Sequence, residues 1–191
     1  LPLHAVPIRF GSWMGGDRDG NPRVKPETTE KACWMARWMA ADLYSREITH
    51  LRDDLSLNRC SEELRVEVGA AWEPYRALLR QVEARLHHTR TVAEAWINGD
   101  PVPDGETYTD PLDLAAPLLL CDRSLRACGD GTMADGRLRD TLRRIACFGL
   151  TLGSLDVRQE STRHTEVVDA ITRYLGLGSY AGWSDAEKVG F

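Results

Sequence analysis

Residues 155–164 read LDVRQESTRH, and at this stretch the sequence changes from a strand pattern to a helix pattern. Residues 148–158 have the composition of a short strand, and a helix is predicted to start near Ser161. Its apolar positions follow helical spacing: Val167, Val168, Ile171 and Leu175. In α/β barrels and open α/β sheets, ligands bind at the carboxyl ends of strands. The charged residues after this strand are therefore candidates for a functional site.

A second strand-like run covers residues 7–14 and is followed by GGDRDGNP at 15–22. Asp17, Asp19 and Asn21 alternate as in the opening of a calcium loop, but Pro22 and Thr28 stand where that motif needs Gly and Glu. The glycines match neither a dinucleotide-binding loop nor a phosphate-binding P-loop. The remaining alternatives are a functional loop and an Asp/Asn/Gly turn whose side chains bond backbone amides before a helix.

Arg158 lies just before the predicted helix start at Ser161, and together they predict an anion site. A planar guanidinium and the amides of a helix N-terminus both favour phosphate or carboxylate. The alternative is a structural network of ion pairs along the same stretch. That network would join Arg158 and Arg163 to Asp156, Glu160 or Glu166.

Between the two strands the sequence predicts successive helices. They are expected near residues 26–55, 61–70, 72–97, 111–128 and 135–147, the last two separated by Gly129, Asp130 and Gly131. Cys33 and Cys121 lie in apolar helical patterns, where a thiol acts as a small hydrophobic group. The predicted fold class is thus a mainly α-helical chain with two short strands.

Composition excludes several protein classes. The net charge of −5 argues against a broad nucleic-acid surface. No stretch approaches the roughly 20 apolar residues of a membrane span. Five cysteines without a C-x-x-C pair show no zinc pattern, and their odd number favours a reducing cytoplasm.

The length of 191 residues would fit one domain. However, a capping box at Ser184 and Glu187 signals a helix that the sequence follows only to Phe191. We therefore expect a segment of a longer polypeptide.

The two strand–loop stretches together carry a resemblance. Residues 10–22, FGSWMGGDRDGNP, and residues 147–149, CFG, followed by 155–164, resemble the phosphoenolpyruvate carboxylase family. The resemblance implies a central segment, about a fifth of an enzyme that carboxylates phosphoenolpyruvate with bicarbonate to give oxaloacetate and phosphate. It further implies Mg²⁺ or Mn²⁺ as cofactor and a cytoplasmic homotetramer. Each subunit would be an (α/β)8 barrel with many extra helices, residues 7–14 and 150–158 supplying barrel strands and residues 26–147 a helical insertion.

The same resemblance assigns roles to residues of this chain. Arg158 is expected to bind the substrate, and Trp13 to line the apolar pocket beside its methylene group. The supporting loop residues are expected to be Asp17, Arg18, Asp19, Asn21, Gln159, Glu160 and Arg163. The catalytic groups and the metal ligands are expected outside this segment, so the chain alone is predicted to be inactive.

Two positions depart from the family pattern. Ser154 stands where many relatives carry arginine, and Lys25 replaces the more usual threonine after the Asn-Pro loop.

The alternative to an enzyme segment is a helical interaction or anion-binding domain without catalysis.

Overall fold

The computed structural model describes residues 2, 3 and 5–191. Within this part of the chain, helices fill most of the sequence between two short strands, which confirms the mainly α-helical prediction. The helices are α1 Pro26–Asp54, α2 Glu62–Val68, α3 Pro74–Asn98, α4 Pro111–Ala127, α5 Gly131–Met133, α6 Arg139–Phe148, α7 Ser161–Tyr174 and α8 Asp185–Gly190.

Four helix ends follow from the residues at or next to them. Ser61 caps α2 by accepting a hydrogen bond from the Leu64 amide, and Asp110 caps α4 by accepting one from the Leu112 amide. Helix α3 ends where Gly99 takes the left-handed conformation, which glycine adopts without steric cost. At α8 the capping box predicted between Ser184 and Glu187 is present in both directions.

The start of the predicted helix at 135–147 is wrong. Gly131, expected as part of a separator, begins α5, and a π-helical segment, Ala134–Leu138, follows it. Gly136 within that segment has non-helical angles (φ −87, ψ −135) and interrupts the regular hydrogen bonding. Regular α-helix therefore begins only at Arg139.

The strands are shorter than predicted. β1 is Gly11–Ser12 and β2 is Ser154–Leu155, and they run parallel in a two-stranded sheet. The Ser154 amide donates to the Phe10 carbonyl at 3.1 Å. Parallel strands cannot be joined by a tight turn, so the intervening helices act as the crossover connection.

The chain divides into two compact units. One unit contains the residues up to Ser12 and Glu30–Ser154, and the other contains Trp13–Thr29 and Leu155–Phe191. The first unit has the main hydrophobic core, which includes Ile48, Leu64, Leu79, Leu86, Leu118, Leu125 and Leu138. Within that core the Tyr75 hydroxyl and Ser124 Oγ are 2.8 Å apart, so these buried polar atoms satisfy each other.

The two cysteines predicted as small core residues differ. Cys121 is buried, and burial raises the pKa of its thiol to about 12. Cys33 is exposed, and the prediction for it is wrong. The buried face of α1 lies further along the helix, at Ala40, Ala41, Tyr44, Ile48 and Leu51.

None of the helices in the described part of the chain combines the length and the apolar character needed to cross a membrane.

Candidate functional site

The glycine-rich loop after β1 pairs with the segment after β2, within the second unit. The Arg158 amide donates to the Gly16 carbonyl at 3.0 Å, and the Arg18 amide donates to the Arg158 carbonyl at 2.9 Å. These two bonds form a parallel bridge between Asp17 and Arg158. The two sequence stretches that predicted a site therefore meet at Arg158.

Gly16 allows this close pairing. A Cβ atom at this position would lie 2.2 Å from the carbonyl oxygen of Asp156 and 3.3 Å from the Leu155 side chain. Real side chains do not tolerate such a separation from backbone oxygen. Glycine is required here because the two backbones are in contact.

The guanidinium of Arg158 lies beside two carboxylates of the loop. Its Nη1 is 3.4 Å from Asp17 Oδ2, and its Nη2 is 3.7 Å from Asp19 Oδ2. Both distances are long for charge-assisted hydrogen bonds, and the Arg158 side chain is 61% exposed. Two loose contacts orient the guanidinium and leave it accessible to an anion.

The ion-pair network predicted from the sequence is present only in part at Arg158 and Arg163. Arg158 pairs with Asp17 and Asp19 instead of the predicted nearby carboxylates. Arg163 does pair with Glu166, as that network predicted, at 2.8 Å on the surface of α7. This hydrogen bond raises the pKa of Arg163 above its ordinary value.

The turn predicted for residues 15–22 is also present. The Asp19 amide donates to Asp17 Oδ1 at 3.3 Å, and the Arg23 amide donates to Asn21 Oδ1 at 3.2 Å. Asp17 therefore has two contacts, one to the backbone of its own loop and one to Arg158. The structural and the functional interpretations of this loop are compatible.

Trp13 lies at the start of the same loop. Its carbonyl accepts hydrogen bonds from the Gly16 and Asp17 amides, both at 3.1 Å, so its backbone is fixed. Its side chain is 63% exposed. An exposed indole on a fixed backbone can form one apolar wall of a binding site.

Gln159 and Glu160 connect Arg158 to α7. Gln159 Oε1 accepts a hydrogen bond from the Glu160 amide at 3.1 Å. Glu160 precedes the helix, and its carbonyl accepts from the Arg163 and His164 amides. Their described hydrogen bonds stay within this linker and the first turn of α7.

Thr29, in the first turn of α1, was not predicted as a site residue. Its hydroxyl donates to the Gly15 carbonyl at 2.7 Å and accepts from Arg18 Nη2 at 2.9 Å. A threonine in a helical first turn is common, so the sequence contained no signal that would distinguish it.

The donor set of the residues that the structure describes does not fit a divalent metal. Across residues 2, 3 and 5–191, the structure brings together no group of three or more His, Cys, Asp or Glu side chains able to hold a metal ion. Near Arg158 the carboxylates are Asp17 and Asp19, and both face the guanidinium.

Comparison with known proteins places the whole length of the chain in one family. The sequence profile described as phosphoenolpyruvate carboxylase matches residues 1–191. The chain belongs to the phosphoenolpyruvate carboxylase family. Within that family it is 54% identical over 190 residues to the phosphoenolpyruvate carboxylase of Alcanivorax borkumensis and 53% identical over 191 residues to that of Ectopseudomonas mendocina.

The match covers only part of those carboxylases. All of this chain aligns, but it spans 21% of the Alcanivorax borkumensis protein and 22% of the Ectopseudomonas mendocina protein. The same holds for the Marinobacter nauticus phosphoenolpyruvate carboxylase, at 52% identity.

Proposed function

We propose that this chain is a central segment of a phosphoenolpyruvate carboxylase and supplies part of its substrate site. The observation that carries the proposal is the position of Arg158: an exposed guanidinium, fixed through its backbone to the glycine-rich loop that also contains Trp13. The full-length enzyme would convert phosphoenolpyruvate and bicarbonate to oxaloacetate and phosphate in the cytoplasm.

Arg158 fits a substrate with a phosphate and a carboxylate. A guanidinium can donate two parallel hydrogen bonds to either group, and such pairs are stronger than those between neutral partners. The flanking Asp17 and Asp19 set the direction of the side chain at 3.4 and 3.7 Å. An incoming dianion can replace these loose contacts without removing a buried partner.

Trp13 fits the reactive end of the same substrate. Carboxylation passes through an enolate, which water would protonate, so the site must exclude water there. The exposed indole of Trp13 supplies an apolar wall. Trp13 and Arg158 are both held by backbone hydrogen bonds of one loop, so their relative position depends on that loop.

The parallel pairing of β1 and β2 supports the wider architecture. We place the strands as neighbours in an (α/β)8 barrel, with residues 26–147 as a helical insertion between them. The catalytic groups, the Mg²⁺ or Mn²⁺ ligands and the tetramer contacts would come from the remainder of the polypeptide. The described residues of this chain do not form a site for the metal.

A chimeric enzyme tests the proposal. Residues 1–191 would replace the matching region of the Alcanivorax borkumensis carboxylase, and oxaloacetate formation would be followed by coupled reduction. We expect the chimera to be active and its Arg158→Ala variant to show a higher KM for phosphoenolpyruvate and a lower kcat, since arginine contacts both ground and transition states.

Arg123→Ala is the matched control, because Arg123 pairs with Glu63 on the exposed surface of the other unit. Normal kinetics for Arg158→Ala would refute the site assignment. Turnover by the isolated chain would contradict the segment proposal. Phosphoenolpyruvate binding by an inactive chimera would favour an anion-binding domain without catalysis.

A further inference from the structure

We infer that Thr29 is a positioning residue for the substrate site, acting through the glycine-rich loop. The inference rests on the proposed function. Thr29 lies in the first turn of α1 and is half-buried. It touches neither Trp13 nor Arg158 in any described hydrogen bond, so its effect on the substrate would be indirect.

The hydroxyl of Thr29 both donates and accepts a hydrogen bond. It donates its proton to the Gly15 carbonyl at 2.7 Å, and its oxygen accepts from Arg18 Nη2 at 2.9 Å. A hydroxyl has one proton to donate, so the short bond to Gly15 accounts for it. Thr29 thereby joins the helix to a loop carbonyl and to a loop side chain.

Several other threonines of the chain behave differently. Thr91, Thr141 and Thr165 each donate to the carbonyl four residues earlier, at 3.0, 2.9 and 3.1 Å. This is the ordinary local bond of a helical threonine. The equivalent contact of Thr29, to the Lys25 carbonyl, is 3.5 Å long. Thr29 forms its short bond outside the helix.

Both partners of Thr29 lie next to the bonds that hold Arg158. Gly15 directly precedes Gly16, whose carbonyl accepts the Arg158 amide. Arg18 is the residue whose amide donates to the Arg158 carbonyl. The hydroxyl therefore fixes the loop on both sides of the Asp17–Arg158 bridge.

The bond to Arg18 is costly to lose. Arg18 Nε is buried and has no hydrogen-bond partner in the structure. Leaving a further donor of this half-buried guanidinium without a partner would add an uncompensated desolvation cost. Without Thr29, we expect Arg18 to turn toward solvent and the loop to lose its fixed position.

The test uses the active chimera described above. Thr29→Val keeps the shape and removes the hydroxyl, whereas Thr29→Ser keeps the hydroxyl. For Thr29→Val we expect kcat/KM for phosphoenolpyruvate to fall on the order of tenfold, mainly through KM, because one bond to a charged group is lost. Thr29→Ser should restore most of the loss.

Thr91→Val is the matched control, since it removes a helical threonine hydroxyl in the other unit. Its kinetic constants should match those of the parent chimera. A Thr29→Val enzyme with KM within twofold of the parent, or one that Thr29→Ser does not restore, would overturn the inference.

Amide hydrogen exchange supplies a readout that does not depend on turnover. Peptides covering residues 14–19 and 155–160 should exchange faster in Thr29→Val than in Thr91→Val at equal melting temperature. Unchanged exchange in both peptides would also overturn the inference. If Thr29→Val does not fold, Arg18→Met removes the donor of the same bond and should give the same increase in KM and in exchange.

Failure of the proposed function gives a different pattern. In that case Arg158→Ala has no effect on KM, whatever Thr29→Val does. If Arg158→Ala is impaired and Thr29→Val is normal in both kinetics and exchange, only the role of Thr29 is rejected.

Discussion

The Cα of Gly16 faces the carbonyl oxygen of Asp156 so closely that a Cβ on Gly16 would be 2.2 Å from that oxygen. Asp156 lies two residues before Arg158, whose amide donates a hydrogen bond to the Gly16 carbonyl. The spacing of the two segments, and with it the position of the Arg158 backbone, therefore depends on the absence of a side chain at residue 16.

Gly16→Ala should accordingly separate the two segments. We expect destabilisation of about 1–3 kcal/mol, the usual range for a group forced into packed surroundings. The Arg158 amide should lose its protection from hydrogen exchange. The free energy of unfolding is measured by urea denaturation.

Gly182→Ala is the control for this substitution, because a Cβ there meets nothing within 4 Å and the position has no left-handed angle. Equal effects of the two substitutions would mean that the Gly16 contact is not the cause.

Arg158→Lys should remain impaired in the chimeric carboxylase although the charge is kept. Lysine presents a point charge and lacks the planar fork that donates two parallel bonds to one phosphate or carboxylate. We expect kcat/KM to fall on the order of tenfold, the equivalent of about 1.4 kcal/mol. Steady-state kinetics with varied phosphoenolpyruvate measure this, and a lysine variant as active as the parent would show that charge alone is needed.

Lys25→Thr should stabilise the start of α1. Lys25 precedes Pro26, its carbonyl accepts from the Thr28 amide, and its own amide donates to Thr28 Oγ1 at 3.3 Å. One half of a capping box is thus present, and a threonine side chain would add the other half. We expect a gain of about 0.5–1 kcal/mol in the free energy of unfolding.

The comparison for Lys25→Thr is Lys31→Thr, at an exposed position inside the same helix. Threonine there should cost a few tenths of a kcal/mol, on the order of its helix propensity. Thermal denaturation followed by circular dichroism should therefore give shifts of opposite sign.

Asp169 on α7 should make the stability of the second unit depend on pH. It accepts from the Ala181 amide at 3.0 Å and from Ser179 Oγ at 2.6 Å. These hydrogen bonds, together with the charge of Arg173, hold the pKa of Asp169 below its ordinary value. Folding therefore favours the carboxylate form.

The stabilisation from Asp169 is complete above the ordinary pKa of about 3.9 and is lost as the pH falls through the lower folded-state pKa. Asp169→Asn should lower the melting temperature at pH 7, and the difference from the parent should shrink below about pH 4. Glu94→Gln, at an exposed position of α3, should show no such pH-dependent difference. A constant difference for Asp169→Asn across this range would contradict the assignment.

Helix ends could be predicted because their signals are local. Pro26 begins α1 and the Ser184–Glu187 capping box begins α8, as the sequence indicated. The kink at Gly136 could not be predicted in the same way, since a single glycine is tolerated inside many helices.

Periodicity identified an apolar face on α1 without showing what covers it. Met35, Met39 and Leu43 follow the helical spacing, yet all three are exposed in this chain. The neighbouring helices instead cover the side of Tyr44 and Ile48. Spacing reports which residues share a face, and burial depends on elements that lie far away in the sequence.

The site shows the same limit. Arg158 was found as a candidate because its motif is contiguous, but its partners Asp17 and Asp19 lie about 140 residues earlier. Thr29 could not be predicted, because its partners Gly15 and Arg18 lie in the loop before α1 and reach it only through the fold of the turn between loop and helix.

The parallel bridge between Asp17 and Arg158 also bears on the order of folding, since 141 positions separate the two residues. Closing a loop of this length costs about 4 kcal/mol of chain entropy, so the bridge should form after the helices between its ends. At ribosomal rates of roughly 5–20 residues per second, the glycine-rich loop emerges about 7 to 28 seconds before its partner. Its charged and glycine-rich composition suits that interval, because it offers no apolar strand edge on which nascent chains could aggregate.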